Sequence, residues 1–533
     1  MYPYLHIGKA DDINNARDRK LYRFLEALPG LSAWLTLTLI VVLSFLTPFF
    51  MALFIIAFDI YWLIKTVYLS FHLRVAYNKL RINSRINWLE KLNNLQPTTY
   101  NLQHLKSWGD IYHIIFLPLY KESYEIVSAS FEGLLKSNYP KTKMLVVLCW
   151  EERGGDETRQ VAEAIEKNYK NDFLEFVSVI HPAGLPNEMP GKGSNTAYAA
   201  RIVKETLVDR LSISYDKIIV SNFDIDTVVS REYFGILTNT FLTTPKPLRA
   251  SYQPIPLYIN NIWEAPAFAR VVAFSATFWH TIKQERPDSA TTFSSHSMSW
   301  QALEDVGFWQ KNMVSEDSRI FWQCFLRYDG DYRVVSLYYP VSMDANVAPT
   351  TFETVKNIYK QQRRWAYGVE NVPYFLFGFI KNKLIPLKKK LYYGFIVAEG
   401  NHSWATNAVI LFLLGWLPVV VGGPEFNKTV LSFNLPYFTR TIMTLAMLGL
   451  VSSAVLSIIL LPPRPPQFGR FKHLLMIIQW LLFPITTILL GTIPALDAQT
   501  RLMLGKYMGF WVTPKVRRKL EVATQNESSS GTR

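Results

Sequence analysis

Two aspartates, Asp224 and Asp226, follow the largely apolar run 218–223 in a pattern that suits metal chemistry. A strand that ends in Asp-x-Asp puts two hard oxygen ligands on one loop, as a magnesium or manganese ion bridging a diphosphate requires. The motif is short, and aspartates also cap backbone donors in turns at strand ends. The pair therefore indicates either a metal site or a turn.

Two further motifs could act with these aspartates. Glu316 and Asp317 open a helix predicted over 318–328, where an acid either caps the helix or serves as general base toward a hydroxyl. The segment 361–365 (QQRRW) combines arginines that can neutralise a diphosphate with an indole on which a sugar ring can stack. The same segment is also typical of a surface helix with an aromatic anchor beside a membrane.

A sheet must position these groups, and from about Ile111 short β-rich runs alternate with amphipathic stretches. The predicted strands are 111–118, 143–149, 173–180 and 217–223, with helices near 122–136, 156–169, 195–208, 264–282, 316–327 and 351–370. This alternation predicts an α/β domain with a mainly parallel sheet, which binds ligands at the C-terminal ends of its strands. The nucleotide site is therefore expected along 118–122, 150–153 and 224–226.

The apolar residues separate a soluble part from the ends of the 533-residue chain. Residues 31–71 are almost continuously apolar, about twice the ~20 residues of one membrane helix, and predict two helices that turn near Thr47 and Pro48. Segments 403–423, 441–461 and 474–496 predict three more. Three crossings would leave the basic tail outside, so 474–496 bends back at Pro484 or the count is wrong by one.

The formal net charge of +14 would also permit nucleic-acid binding. The basic residues cluster beside the apolar segments, however, which favours a membrane with the flanks in the cytosol and excludes nucleic acid as a partner. Cys149 and Cys324 have no CxxC spacing, so neither a disulfide framework nor a zinc site is expected. The predicted protein is an integral, multi-pass protein of the plasma membrane with a cytosolic catalytic domain.

These patterns predict a division of the chain into seven parts. They are a cytosolic lead (1–30), two transmembrane helices (31–71), an amphipathic connection (72–109), a catalytic domain (110–370), interfacial helices (371–402), about three transmembrane helices (403–496) and a basic cytosolic tail (497–533). The last residues, 527–533, are expected to be disordered.

The order of the motifs resembles that of the membrane-embedded family 2 inverting glycosyltransferases, the group of cellulose, chitin and hyaluronan synthases. The resemblance covers about residues 110–515 and includes three more segments. These are 118–122 (PLYKE), similar to a Pro-x-Tyr-Asn-Glu nucleotide-base segment, 191–195 (GKGSN), similar to a Lys-containing loop, and 510–515 (FWVTPK), similar to a Phe-x-Val-Thr-x-Lys gating segment. It implies a nucleotide-diphospho-sugar transferase domain of GT-A type and a hexosyltransferase activity.

On the donor side the resemblance implies contacts to the nucleotide sugar from Tyr120, Glu122, Glu151, Lys192, Asp224 and Arg364. Tyr120 and Glu122 would contact the base and ribose. Asp224 and Asp226 would hold the diphosphate and the Mg²⁺ or Mn²⁺ ion, with Asp226 as the direct ligand. Relatives have an aspartate pair where this chain has Glu151 and Glu152, so one of these glutamates would substitute.

On the acceptor side the resemblance implies that Asp317 is the catalytic base, supported by Glu316, and that Trp365 and Gln361 line the acceptor site. His296 lies between the Asp224 and Asp317 motifs, where an acceptor could bind. The expected acceptor is a saccharide, most simply a polysaccharide, or a lipid-linked one, with membrane lipids as further partners. Two alternatives remain open, namely transfer of one sugar to a lipid carrier and an inactive, transferase-like membrane scaffold.

Overall fold

The computed structural model describes residues 2–102, 104–469 and 471–517. Within these residues eight strands form one sheet, in the order β3-β2-β1-β4-β7-β6-β8-β5. The strands are β1 (Tyr112–Leu119), β2 (Met144–Glu151), β3 (Glu175–His181), β4 (Ile218–Asn222), β5 (Val228–Val229), β6 (Ala250–Tyr258), β7 (His296–Ser299) and β8 (Arg333–Met343). Strands β1 to β4 are mutually parallel, whereas β7 is antiparallel to β4 and β6. The α/β sheet is thus mixed and mostly parallel.

The helices include the elements predicted between the parallel strands and long apolar helices near both ends. The α-helices are α1 (Ala16–Leu46), α2 (Pro48–Asn83), α3 (Trp88–Asn93), α4 (Tyr124–Lys136), α5 (Gly155–Tyr169), α6 (Lys192–Val203), α7 (Tyr233–Thr243), α8 (Ala267–Gln284), α9 (Trp300–Asp305), α10 (Glu316–Arg327), α11 (Thr351–Ala366), α12 (Asn371–Lys381), α13 (Leu387–Phe412), α14 (Leu417–Val421), α15 (Gly423–Asn427), α16 (Val430–Ile459), α17 (Phe471–Ile478), α18 (Phe483–Thr487) and α19 (Ile493–Met503).

The parallel part of the sheet forms because its strands are apolar on both faces. All five residues of β4 are buried, and Val220 packs with the cluster on one face while Ile219 packs with the cluster on the other. Strands covered on both sides by helices have no polar face, so they occur in the sequence as continuous apolar runs. This arrangement brings the polar residues that follow β1, β2 and β4 to one edge.

Several predicted boundaries were wrong. Helix α1 begins at Ala16, where the Asn15 side chain accepts hydrogen bonds from the first turn, and α2 continues to Asn83, so the pair extends beyond 31–71 on both sides. Helix α13 runs unbroken through the predicted boundary at 402. Helix α12, within the region 371–402 predicted to be interfacial, is instead enclosed by protein, because its aromatic rings pack inward, with Phe375 stacked on Trp322.

Four helices of the described residues are long and apolar enough to cross a membrane, namely Ala16–Leu46, Pro48–Asn83, Val430–Ile459 and Phe471–Met503, and α13 with Leu414–Val421 is a fifth candidate bent by 50°. Contacts show which end of the bent pair lies beside the catalytic domain and which lies beside the turn between α1 and α2. A Cβ on Gly422 would lie 2.8 Å from Pro48, at the turn of the α1–α2 hairpin, whereas Lys389 donates to Gly330 O of the catalytic domain. The bent pair therefore runs from the domain to the far end of the hairpin.

Both ends of Phe471–Met503 lie beside the catalytic domain. Near its start Arg270 of α8 donates to Gln479, and near its end Arg363 of α11 donates to Asp497. Between them the helix is interrupted by the 3₁₀ turn Gln479–Leu482 and the π-helical turn Ile488–Thr492. Despite these turns, Phe471–Met503 continues through Pro484 as one long helix, so the bend predicted there is absent and the helix is instead held to the domain at two points.

Candidate active site

The predicted site residues gather at one edge of the sheet. Tyr120 and Glu122 follow β1, Glu151 ends β2, and Asp224 follows β4. These three strands are parallel, so their C-terminal ends coincide. The site that the sequence predicted at the strand ends is therefore assembled by the topology of the sheet.

Lys192 joins the loop after β4 to the start of α10. Its Nζ donates to Asp224 Oδ1 at 2.7 Å and to Asp317 Oδ1 at 3.0 Å. Lys192 starts α6, and the residue before it must be glycine, because Gly191 has a φ of 151° and a Cβ there would lie 2.6 Å from Phe510. The structure thus brings together Lys192, Asp224 and Asp317, which the sequence analysis predicted individually as site residues.

Charge attraction dominates burial in this cluster. Burial opposes the positive charge of Lys192, but Asp224 and Asp317 outweigh it and raise the pKa of the ammonium group above its usual value. Burial also acts to raise the pKa of Asp224, yet Lys192 and Lys515 hold that pKa well below its ordinary range. The loop after β4 therefore presents an ionised carboxylate at neutral pH.

Glu316 differs from its neighbour Asp317. It is 2% exposed, and burial together with the adjacent Asp317 raises the pKa of Glu316 to about 8. Glu316 therefore retains its proton at neutral pH and does not compete with Asp317 for Lys192.

The start of α10 is not held by its own acids. The side chain of the N-cap residue, Ser315, makes no capping bond, and Glu370 Oε1 accepts from the backbone N–H groups of Val314 and Ser315 at 3.0 and 2.8 Å. Asp317 faces Lys192 instead. This geometry favours the functional interpretation of Asp317 over the capping interpretation.

Asp226 contacts a different part of the chain. Its Oδ1 accepts from Lys515 Nζ at 2.6 Å, and its Oδ2 accepts from the backbone N–H of Asp344 at 3.0 Å. Arg517 in turn pairs with the Asp344 carboxylate at 2.7 Å. The gating-like tail thus lies across the strand ends, with Lys515 paired to Asp226 and Arg517 paired to Asp344. Arg518, Lys519 and the end predicted to be disordered lie outside the described residues.

Sequence reasoning missed Asp344 because it missed β8. The strand carries an inward-outward alternation over 333–343 and Asp344 follows it, but Pro340 interrupts the strand pattern because proline cannot donate to a strand ladder. Tyr258, at the end of β6, was missed for the same reason, since β6 contains Pro254 and Pro256. Burial raises the pKa of Tyr258, and the charges of Asp224 and Asp226 act in the same direction, which places its hydroxyl near both.

Helix α11 carries the residues predicted for the diphosphate and the acceptor. The Arg364 guanidinium lies 4.9 Å from the Phe510 ring, and the Trp365 and Tyr258 ring centres are 6.0 Å apart. Gln361 accepts a hydrogen bond from Asn346 at 3.3 Å. Arg363 points away and pairs with Asp497, so one arginine of the pair faces the site.

The departure from the aspartate pair has a structural consequence. Both Glu151 oxygens accept from Arg153, whose guanidinium lies 3.9 Å from the centre of the Tyr120 ring. Arg153 therefore occupies both oxygens of Glu151, the residue predicted to contact the donor directly. Glu122 accepts from the Tyr120 N–H at 2.7 Å, and burial raises its pKa to about 7.

His296 does not face an acceptor site. It is completely buried, its Nδ1–H donates to Phe293 O at 2.8 Å, and it lies 3.9 Å from Asp317 Oδ1. Burial lowers the pKa of His296, so the ring is neutral. Asn222 on β4 lies opposite His296 in the sheet. Among the described residues, no hydrogen-bond partner is present for His296 Nε2 or for either polar side-chain atom of Asn222. The histidine is enclosed by protein beside Asp317.

The donor set fits a hard divalent cation shared with a nucleotide. Among the described residues no group of three or more metal-ligating side chains is present. Mg²⁺ and Mn²⁺ in nucleotide sites use one or two carboxylates and complete their shell with phosphate oxygens and water. Asp226 and Asp224 are suitable ligands of this kind, and Lys515 is the cation that now occupies Asp226 Oδ1.

Comparison with known proteins identifies the family. The profile of "Glycosyl transferase family group 2" matches residues 219–495, just over half of the chain. Poly-beta-1,6-N-acetyl-D-glucosamine synthase of Staphylococcus aureus (strain COL) is 23% identical over 334 residues, which cover 62% of this chain and 67% of the relative. The synthase of Staphylococcus epidermidis is 23% identical over 400 residues, 74% of this chain and 82% of the relative.

Two solved structures are similar at low identity. The mannosyltransferase PcManGT from Pyrobaculum calidifontis, in complex with GDP-Man and Mn²⁺, has 14% identity and a TM-score of 0.39, covering 76% of this chain and 99% of that one. Residues 1–349 of S. aureus TarS in complex with UDP-GlcNAc have 12% identity and a TM-score of 0.34, covering 65% and 90%. By its match to the family profile, the chain belongs to glycosyl transferase family group 2 and is a glycosyltransferase.

Proposed function

We propose that the protein is an inverting membrane glycosyltransferase that moves a sugar from a nucleotide-diphospho-sugar to a hydroxyl group of a growing polysaccharide. The observation that carries this proposal is the bridge from Lys192 to Asp224 and Asp317. It supports the proposal because the Asp224 loop, suited to a donor diphosphate, and the Asp317 carboxylate lie on either side of one cation. A donor sugar bound there lies between the two groups that the reaction needs.

The donor would lie along the ends of β1, β2 and β4. Tyr120 and Glu122 border the position for the nucleoside, and Lys192 and Arg364 are cations within reach of a diphosphate on the Asp224 loop. Asp226 and Asp224 would hold the Mg²⁺ or Mn²⁺ ion, which when bound supplies positive charge to the departing diphosphate.

Asp317 would act as the base. It accepts the proton of the acceptor hydroxyl while the oxygen attacks the anomeric carbon, and the bond from that carbon to the diphosphate oxygen breaks. Lys192 and Arg364 stabilise the negative charge that develops on the leaving group. Because attack and departure occur on opposite faces of the sugar in one displacement, the anomeric centre inverts.

A polysaccharide acceptor is supported by two observations. Trp365 on α11 offers a flat apolar ring beside the site, and α11 is joined to α19, the end of the apolar helix Phe471–Met503, by the pair of Arg363 with Asp497. The curated relatives at 23% identity are named as synthases of a poly-N-acetylglucosamine, which makes UDP-N-acetylglucosamine the first donor to test. The basic flanks favour a catalytic domain in the cytosol and a protein of the plasma membrane.

The test is release of nucleoside diphosphate by the purified protein from a panel of sugar nucleotides with Mg²⁺ or Mn²⁺. We expect turnover with one donor, and an Asp317→Asn variant about 10² to 10⁴ times slower. Asp331→Asn is the matched control, since that aspartate forms exposed pairs with Lys246 and Arg249 away from the site. Product length on a gel then separates polymer synthesis from single transfer, and absence of turnover with every donor would favour an inactive scaffold.

A further inference from the structure

A cavity outside the candidate active site lies where the catalytic domain meets α17. It has a volume of about 230 Å³. Its walls come from the start of α8, the loop after β8, the start of α11 and one residue of α17, and include Glu264, Ala267, Arg270, Val347, Thr350 and Lys472. None of the residues assigned to donor or acceptor binding lines it.

Arg270 is a buried cation in the wall of this cavity, and no ion pair joins it to any residue that the structure describes. It is 4% exposed, its Nε donates to Gln479 Oε1 at 2.6 Å and its Nη1 donates to Ala265 O. No described carboxylate lies within ion-pair distance of it, and burial lowers the pKa of Arg270 to about 10. A buried guanidinium that meets only neutral acceptors is unfavourable, so an anion in the cavity would stabilise it.

Two other features make the cavity positive. Lys472 lines the same space from α17. Helix α8, 18 residues long, begins after Pro266 with no side-chain cap and no acidic residue in its first turn, so the N–H groups at its start and its positive dipole end remain available to an anion. Glu264 also lines the cavity, and its charge acts on Arg517 of the tail.

The surroundings indicate which anion fits. Phe471, next to Lys472, is 81% exposed and Phe352, at the start of α11, is 77% exposed. Exposed aromatic residues beside basic ones are typical of the border between lipid and water. A volume of about 230 Å³ suits a small charged group. We propose that this cavity binds the phosphate group of an anionic membrane lipid.

Occupancy would connect the membrane to the catalytic domain. The cavity-lining loop 347–350 joins Asp344, which donates its backbone N–H to Asp226, to α11, which carries Arg364 and Trp365. A bound phosphate would fix both ends of this loop. The binding itself does not depend on which sugar is transferred, so its test is independent of the proposed reaction.

The experiment is a titration of the full-length protein in detergent with phosphatidylglycerol, phosphatidylcholine or inorganic phosphate, followed by its thermal unfolding midpoint and by the lipids retained in native mass spectrometry. Phosphatidylglycerol is expected to raise the midpoint, and phosphatidylcholine is not. The Lys472→Gln and Arg270→Gln variants should need about tenfold more phosphatidylglycerol for the same shift, because each loses one charge-assisted contact.

Lys20→Gln and Arg81→Gln are matched controls, since each removes an exposed positive charge from α1 or α2 and neither residue lines the cavity. Should Arg270→Gln fail to fold, Lys472→Gln at the half-buried rim still decides the question. If only phosphatidylglycerol gives a shift of the midpoint that the two variants weaken, the proposal is supported and the ligand is a lipid. If inorganic phosphate gives the same shift, the cavity binds phosphate and free phosphate is its source. It is overturned if the two cavity variants respond like the wild type, or if the controls weaken binding as much.

Discussion

Lys192 Nζ lies 2.7 Å from Asp224 and 3.0 Å from Asp317, so one ammonium group holds the loop after β4 against the start of α10. The lysine is 9% exposed, and its charge is what keeps two carboxylates close together at a buried position. The same charge is available to a diphosphate when a donor binds. Lys192 therefore has a structural role without donor and an electrostatic role with it.

Replacing Lys192 by glutamine should reduce both turnover and stability. Loss of the cation lets the pKa of Asp224 rise and removes one stabilising charge from the leaving group, which we expect to lower kcat about 10²-fold. Turnover and the thermal midpoint of the variant measure the two effects. Lys204→Gln, which breaks the pair with Glu304 farther along the same helical stretch, is the control and should leave kcat unchanged.

Lys515→Gln should strengthen metal binding by the free protein. Lys515 Nζ occupies Asp226 Oδ1 at 2.6 Å, so the lysine and a divalent cation compete for the same oxygen. Removing it should tighten Mn²⁺ binding about tenfold, as measured by electron paramagnetic resonance without any sugar nucleotide. Lys506→Gln, exposed at the start of the tail, should bind Mn²⁺ like the wild type. Weaker Mn²⁺ binding by Lys515→Gln would show that Asp226 is not the metal ligand.

Much of the parallel sheet could be predicted from sequence, because strands buried on both faces leave an unmistakable apolar run. Predicted strand 111–118 corresponds to Tyr112–Leu119, and 217–223 to Ile218–Asn222. The strands β6 and β8 could not be found in this way. Pro254 lies at a register shift, Pro256 is buried and Pro340 is half-buried, and only the pairing of the two strands makes these prolines tolerable.

The candidate site likewise contains residues that the sequence predicted and others that only the fold brings in. The motifs around Asp224 and Asp317 were found because each combines reactive groups within a few residues. Partners brought in by tertiary folding left no such signal, as with Asp344 beside Asp226 and with Glu370 at the start of α10. Helix α12 shows the converse, since its aromatic sequence suits a membrane surface equally well, and only the packing against Trp322 decides.

The stability of the protein should depend on pH through Glu316. Its pKa is about 8 in the folded protein and near 4.5 when unfolded, so the folded state binds the extra proton. The stability that this proton confers is present below about pH 4.5 and is lost as the pH rises toward 8. Glu316→Gln should therefore be about as stable as the wild type at pH 5 and clearly more stable than the wild type at pH 8.5.

Denaturant unfolding of both proteins between pH 5 and pH 9 measures this difference. Glu304→Gln is the control, because Glu304 is partly exposed and pairs with Lys204 outside the site. A difference between wild type and Glu316→Gln that stays constant with pH would show that Glu316 does not titrate in this range.

The path of Phe471–Met503 predicts an even number of crossings between the catalytic domain and the tail. Gln479 and Asp497 both contact the domain, whereas α13 with α14 and then α16 run to the hairpin turn and back. A membrane-impermeant maleimide applied to intact cells should therefore label Glu425→Cys and not Arg464→Cys or Lys506→Cys. Both native cysteines are buried and give no background. Labelling of Lys506→Cys together with Glu425→Cys would instead mean that Phe471–Met503 crosses the membrane.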